Sequence, residues 1–248
     1  MLLKGRYRAR PAEGPEDLAA CQRLRHEAFI TRAGLPGRPG GLEADGFDAR
    51  ARHMMVEELA GGRLVATFRL MHLASGADIG LSYAAQFYDL AGLSGFTGPM
   101  VEMGRFCMAP GLPDAADVLR IAWGAMTREV EAAGAEMLFG CTSFAGTGAE
   151  AHRAAFGYLA ERHLAPERYR PGAKAAEVVA FGGLPGGGDP RAGLLALPPL
   201  LRTYLTMGGW VSDHAVVDRE LGTLHVFTGV ETRAIPAARA RALRAVAS

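Results

Sequence analysis

Apolar residues along this chain switch between a spacing of about two and a spacing of three to four, so strands and helices alternate. Residues 5–12 alternate and predict a strand. Residues 16–29 then place Leu18, Cys21, Leu24, Ala28 and Phe29 at helical spacing, with Pro15 at the mouth of the helix. The Gly- and Pro-rich segment 31–41 reads as a loop. Strands at 53–59 and 63–73 flank a Gly61-Gly62 turn, which predicts a hairpin. A short helix over 82–90 precedes a strand around Glu102. Over 114–133, Val118, Ile121, Ala122, Ala125, Met126 and Val130 form one helical stripe that Gly134 ends. A strand at 136–141 and a helix over 148–159 follow. Beyond a Gly- and Pro-rich break at 182–193, the pattern predicts a helix at 197–207, a strand at 222–230 and an Ala/Arg helix at 236–248. The order is that of a mixed α/β layout, α+β in character, with antiparallel hairpins ahead of a parallel βαβ unit. The break separates a core, 1–181, from a C-terminal extension, 182–248, packed on it as part of the same domain.

Charges inside apolar runs change this picture. Glu102 and Arg105 sit among Met, Val, Phe and Cys, three positions apart on one strand. In an extended chain they point to opposite faces, unless a bulge at Gly104 re-aims one of them. Arg25, Asp45, Asp48 and Arg69 occupy similarly apolar neighbourhoods. A charge in such a setting is either paired or used, and together these residues predict a polar cluster inside the fold.

The bulk properties narrow the classes. A 248-residue chain has ample material for a core, and a net charge of +1 gives no drive toward nucleic acid. Lysine occurs only as Lys4 and Lys174, so arginine-rich composition discounts any single arginine cluster. Cys21, Cys107 and Cys141 lie far apart in apolar contexts, which suits free core thiols in a reducing cytoplasm. No HExxH or paired Cys/His spacing suggests a metal. No apolar run approaches the ~18–20 residues of a membrane span, so the chain reads as cytoplasmic, with at most a peripheral contact on the inner membrane.

Five motifs in order carry a resemblance over nearly the whole chain. They are Cys21-Gln-Arg-Leu-Arg-His-Glu-Ala-Phe29, Glu43-Ala-Asp-Gly-Phe-Asp48, Arg69 at the end of the hairpin, Glu102-Met-Gly-Arg-Phe-Cys107, and Leu138-Phe-Gly-Cys-Thr-Ser-Phe-Ala-Gly146. This pattern resembles acyl-homoserine-lactone synthases, and more closely the related ornithine lipid biosynthesis N-acyltransferases, both variants of the GNAT acyltransferase fold. The segment from Leu197 through Tyr204 to Asp218 and Phe227 also looks like the C-terminal region of the second family. Lactone synthases carry a Trp in the loop after the first helix, and residues 30–44 here contain none. Gly111-Leu-Pro-Asp114 stands where GNAT enzymes place the loop that cradles the coenzyme A pyrophosphate, with only Arg120 near it. An acyl carrier protein donor needs no such cradle.

The resemblance implies a GNAT-like fold, a mixed central sheet flanked by helices. The implied reaction moves a 3-hydroxyacyl chain from acyl carrier protein to the α-amine of L-ornithine, giving lyso-ornithine lipid, with no bound cofactor. An α-amine has a pKa of roughly 8, so it must lose a proton before it attacks. The site must also hold it about 3 Å from the thioester carbon. Glu102 is the implied base, against the plainer alternative of a buried ion pair with Arg105. Arg25, Phe29, Asp45, Asp48, Arg69 and Arg105 are the implied substrate-binding residues. Arg69 or Arg105 suits the substrate carboxylate, and Asp45 or Asp48 the distal ammonium. The plainer alternative has Asp45 and Asp48 bracing a loop against Arg25. Met137, Phe144 and Trp123 suit an acyl channel or simply the core. Cys141 and Ser143 read as packing residues beside a direct transfer. The alternatives are a lactone synthase using S-adenosylmethionine, acylation of glycine or glutamine, and a non-catalytic acyl-binding module. The acidic carrier calls for a basic face, either at Lys4, Arg6, Arg8 and Arg10 or on the tail with Arg233, Arg239, Arg241 and Arg244. Either stretch also suits an anionic bilayer.

Overall fold

A computed structural model describes residues 1–183 and 189–248. In chain order, β1 (Leu2–Lys4) and β2 (Tyr7–Pro11) lead to α1 (Gly14–Arg25), which continues as a π-helical turn over His26–Thr31. Next come β3 (Arg52–Glu58), β4 (Leu64–Leu73), β5 (Tyr88–Asp89) and β6 (Met100–Met108). Then follow α2 (Ala115–Ala132), β7 (Met137–Ala145), α3 (Arg153–Arg162), β8 (Gly172–Ala173) and β9 (Val178–Ala180). The chain closes with α4 (Pro190–Ala196), α5 (Pro199–Thr206), β10 (Trp210–Val211), β11 (His214–Asp218), β12 (Thr223–Glu231) and α6 (Ala237–Ala247). These elements gather into two compact units.

The first unit holds Met1–His72, Met103–Ala135 and Ala237–Ser248. Its strands run in the order β1-β2-β3-β4, with the later residues of β6 beside β4. The β3–β4 hairpin turns through Gly61 and Gly62, at φ 84° and 67°, a backbone that residues with a Cβ adopt only under strain. Met54, Met55, Val56, Val65, Ala66 and Phe68 are all buried. These two strands therefore have both faces covered, and their runs are continuously apolar where an exposed sheet would alternate. The helix α2 buries the predicted stripe Val118, Ile121, Ala122, Ala125, Met126 and Val130. Gly124 lets it close on its neighbours, since a Cβ there would lie 2.9 Å from Leu2 Cδ2 and 3.0 Å from Val246 Cγ1.

The second unit holds Leu73–Glu102 and Glu136–Pro236. Its ladder runs β7-β12-β11-β9, with β10 against β12, and β5 pairs separately with β8. The antiparallel β7–β12 pair is in register from Met137↔Glu231 to Ala145↔Thr223. Alternation along those strands feeds two cores. One takes Met137, Phe139, Trp210 and Phe227 together with Tyr88 and Leu93. The other takes Phe144, Leu224 and Val226 with Phe156, Leu159 and Leu201.

Several features differ from the sequence-based expectation, which also lacks β1, β8, β10 and α4, the last starting inside the Gly- and Pro-rich break. Residues 82–90 do not form a helix: a 3-10 turn at Ala84–Gln86 is followed by β5. Their spaced apolar residues point into the first core without a helical backbone. The ladder strands β9 and β11 carry no clear alternation and were not expected. Residues 237–248 belong to the first unit, and the rest of the stretch from 182 is assigned to the second. The Gly- and Pro-rich break at 182–193 falls in part on 184–188, outside the described residues.

Candidate active site

The first unit contains a closed network of charge. Arg25 lies where α1 gives way to the wider π-helical turn, and its side chain is buried. Its Nε donates to Glu43 Oε2 at 2.5 Å, Nη1 to Asp48 Oδ1 at 2.8 Å, and Nη2 to Asp48 Oδ2 at 3.1 Å and the Glu43 carbonyl at 2.6 Å. Gln22, one turn back on the same helix, donates to Asp48 Oδ2 at 2.9 Å. Arg69 on β4 donates from Nη1 to Asp48 Oδ1 and Asp45 Oδ1, both at 2.6 Å, and from Nη2 to Asp45 Oδ2 at 2.7 Å. Arg105 on β6 completes the set, with Nε on Glu43 Oε1 and Nη2 on Asp45 Oδ2, both at 3.0 Å.

Three guanidiniums thus interlock with three carboxylates, and the formal charges cancel. Most of these bonds are charge-assisted, and the Arg25–Asp48 and Arg69–Asp45 pairs are two-pronged. Burial pushes the Asp48 carboxyl up, but the bonds and charge of Arg25, with Gln22 and Arg69, outweigh it and hold that carboxyl well below the ordinary range. Asp45 behaves alike: burial pushes it up, and Arg69 and Arg105 pull it further down. His53 also faces the network, its Nε2 3.1 Å from the Asp48 carbonyl, and burial moves its pKa down.

The backbone of β6 departs from extended geometry at Arg105, next to Gly104, where the sequence left open a bulge. Arg105 takes φ 53°, the one positive φ outside glycine among the described residues. Gly104 passes close to Arg69, since a Cβ there would stand 3.8 Å from its Nε. Phe29 is half-buried and packs with Leu24, Ala28, Leu64 and Cys107. Phe47 lies under the Arg69 guanidinium, 5.7 Å from ring centre to Cζ.

Glu102 is the last residue of its segment in the second unit and is 3 % exposed. Its Oε2 accepts from the Tyr83 amide at 2.7 Å and its Oε1 from the Ala84 amide at 2.8 Å. Two successive N–H groups at the head of the 3-10 turn thereby fix the plane of the carboxylate. Ser82 tightens the same turn, donating to the Ile79 carbonyl at 2.7 Å and accepting from the Ala85 amide at 3.2 Å. Tyr204 on α5 senses the carboxylate: burial raises its hydroxyl pKa, and the charge of Glu102 raises it further, so it stays a neutral phenol.

Of the residues expected to form the site, Arg25, Asp45, Asp48, Arg69 and Arg105 come together in the first unit, Phe29 lies in an apolar cluster there, and Glu102 belongs to the second. Met137 and Phe144 lie in separate cores of the second unit, and Trp123 is buried on α2 of the first. Sequence reasoning passed over Glu43 and Gln22 as network members. Gln22 had a signal in its spacing of three from Arg25 on one helix, and Glu43 in its place two residues before Asp45. The amides of Tyr83 and Ala84 had none, because any residue but proline supplies an N–H. Burial pushes the thiols of Cys21 and Cys107 up, which keeps both protonated. Among the described residues, no three His, Cys, Asp or Glu side chains gather to hold a metal ion.

The family model described as an acetyltransferase (GNAT) domain matches residues 24–123, a stretch that includes every member of the charged network but Gln22 and also takes in Glu102. The chain superimposes on a coenzyme A-dependent acyl-homoserine lactone synthase, BjaI, with a TM-score of 0.51 at 15 % identity, covering 96 % of this chain and 86 % of that one. TofI, in a ternary complex with an inhibitor and MTA, also gives 0.51 at 15 % identity, over 98 % and 100 %. These likenesses establish the fold: a mixed sheet flanked by helices, of the GNAT type. The matched acetyltransferase (GNAT) domain, taken with the relative described next, defines an acyltransferase.

The L-ornithine N(alpha)-acyltransferase of Rhodobacter capsulatus is 35 % identical over 243 residues, covering 92 % of this chain and 91 % of that one. Its namesake in Brucella abortus is 27 % identical over 90 % and 83 %. The chain belongs to the L-ornithine N(alpha)-acyltransferase family.

Proposed function

We propose that this chain transfers a 3-hydroxyacyl group from an acyl carrier protein thioester to the α-amine of L-ornithine. The match to the Rhodobacter protein over nine-tenths of both chains supports ornithine as the acceptor, and the carrier-protein donor is part of the proposal. The geometry of Glu102 supplies its chemistry. In the proposed reaction the amine nitrogen attacks the thioester carbon, the N–C bond forms, the C–S bond breaks, and the thiolate leaves with a proton. Glu102 takes one proton from the α-ammonium to free the amine for attack, directly or through a water, and the second proton lost from nitrogen goes to the departing thiolate. Its carboxylate needs no search for an orientation, because the amides of Tyr83 and Ala84 already hold it. Transfer is direct, with no acyl-enzyme.

The charged network of the first unit serves this reaction as a frame. It ties α1, the 43–48 loop, β4 and β6 by hydrogen bonds that leave little rotamer freedom. The product combines an aliphatic chain with a polar head and partitions to bilayers. No helix among the described residues is long and apolar enough to cross one; a peripheral contact with the bilayer belongs to the proposed reading.

The test is transfer by the purified protein from 3-hydroxytetradecanoyl acyl carrier protein to ornithine, glycine, glutamine or S-adenosylmethionine, read by mass spectrometry. N-acylornithine as the dominant product is expected. Faster acylation of any other acceptor overturns the assignment.

A further inference from the structure

One face of the first unit carries positive charge that the protein does not neutralise. The helix α6 bears Arg239, Arg241 and Arg244 and no acidic residue. Leu243 and Ala247 are its buried residues, while Arg241, Ala242, Arg244 and Ala245 are exposed. Lys4 of β1 reaches across to donate to the Ala245 carbonyl at 3.2 Å, and Arg128 of α2 donates to the Met1 carbonyl at 2.5 Å. A carbonyl is a dipole and leaves the cation its full charge. Arg244 pairs with Glu131 at 2.7 Å, both well exposed, so solvent screens that pair. Among the described residues, Arg239 and Arg241 have no carboxylate partner. Lys4, Arg128, Arg241 and Arg244 therefore face one carboxylate, Glu131, and the nearby Glu129 is matched by Arg52 at 2.8 Å.

We propose that α6, with Lys4 and Arg128, is the docking surface for the acidic carrier protein that delivers the acyl thioester, an inference that rests on the carrier-dependent reading above. Charge dominates the patch. The outer positions of α6 between its arginines are alanines, and Met1, whose carbonyl Arg128 meets, adds one exposed apolar side chain, a small area for entering a bilayer. Leu3 is exposed, but it alternates with Leu2, which packs toward Val246 of α6, and so points away from this face. With a net charge of +1 for the whole chain, the field is local. It orients an acidic helix at close range and fades over the Debye length, about 8 Å in physiological salt.

The test compares one acyl group on two donors, 3-hydroxytetradecanoyl acyl carrier protein and 3-hydroxytetradecanoyl pantetheine, in the wild type and in the Lys4→Glu/Arg241→Glu double variant. Neither side chain has a carboxylate partner, and Lys4→Glu gives up only the exposed bond to the Ala245 carbonyl, so a small fall in thermal unfolding temperature with a folded protein is expected. The surface predicts a KM for the carrier-borne donor at least tenfold higher in the variant, with kcat kept and the pantetheine donor unaffected. Added salt should raise the wild-type KM for the carrier donor alone. Equal KM values in the two proteins overturn the proposal, as does loss of binding to phosphatidylglycerol vesicles with carrier kinetics intact. If the wild type transfers from neither donor, the functional reading falls. The surface is then decided by fluorescence anisotropy with labelled holo carrier protein, where equal binding by both proteins rejects it. A milder variant, Arg241→Ala, covers the case in which charge reversal disturbs folding.

Discussion

Arg25 and Asp48 meet fork to fork, Nη1 to Oδ1 at 2.8 Å and Nη2 to Oδ2 at 3.1 Å, with both side chains shut away from water. A pair buried this deeply is weak evidence of net stability, because two desolvated ions start from a large penalty. Removing one partner is a different matter, since the other is left charged and uncompensated. Asp48 serves two guanidiniums, so its loss strands Arg69 as well.

Asp48→Asn should therefore lower the stability of the protein by roughly 3 kcal/mol, measured by urea unfolding. It also separates the two roles of the network. A frame predicts that the surviving folded enzyme loses activity equally toward ornithine and toward 2-aminobutyrate, which lacks the distal amine. A change in the ratio of kcat/KM between those acceptors would show that Asp48 meets the substrate ammonium instead.

The same carboxylates set an acid limit. Asp45 and Asp48 have folded pKa values below the unfolded value of about 3.9 for Asp. A depressed carboxyl contributes stability that is fully present above the unfolded value and is lost as pH falls through the folded one. Unfolding free energy should thus be insensitive to these groups above about pH 5, then decline steadily below about pH 4. In Asp48→Asn that acid slope should be shallower. Identical slopes in both proteins between pH 2 and 5 would remove Asp48 as the source.

Part of this arrangement could be read from the chain. Charges at Arg25, Asp45, Asp48, Arg69 and Arg105 stand out because each interrupts an apolar run, and burial demands partners. That they neutralise one another was not visible, because pairing depends on where the 43–48 loop folds back. The α2 stripe and the Gly61-Gly62 turn were legible, since period and turn chemistry act locally. Residues 82–90 misled because Ala84, Ala85, Tyr88 and Leu90 are buried by tertiary packing around successive turns and a short strand. The hold on Glu102 is made by backbone amides, on which side-chain identity leaves no mark.

Arg105 offers a test of stored strain. Its φ of 53° is costly for any residue with a Cβ, by about 1–2 kcal/mol. Both Arg105→Ala and Arg105→Gly lose the bonds to Glu43 and Asp45, but only glycine relieves the backbone. Arg105→Gly should be about 1 kcal/mol more stable than Arg105→Ala in urea unfolding. The usual order in a strand is the reverse, so alanine as the more stable variant would count against the left-handed conformation.

Gly76 probes the loop ahead of the Glu102 strand. A Cβ there would stand 1.9 Å from the Leu93 carbonyl oxygen and 2.9 Å from the Phe96 nitrogen, both backbone atoms. No side-chain rotation can absorb that overlap, and the Gly76 amide donates to the Phe96 carbonyl at 2.7 Å. Gly76→Ala should cost about 3 kcal/mol or more. A thermal midpoint within a degree or two of wild type would show that this turn adapts more easily than its packing implies.

Glu102 carries the sharpest consequence of the proposed chemistry. A glutamine keeps the length and one carbonyl acceptor but cannot take a proton. It also turns an NH₂ toward one of the two amides that now donate to the carboxylate. Glu102→Gln should lower kcat by a factor of ~10²–10⁴, the usual contribution of a positioned base, with KM for the amino acid little changed. A base role further predicts that raising the pH, which deprotonates more of the free amine, recovers part of the lost rate in the variant. A purely structural carboxylate predicts a fall in stability that the pH of the assay does not repair. Wild-type turnover in a folded Glu102→Gln protein would take the base away from this residue and leave the buried anion as a clamp on the 82–86 turn.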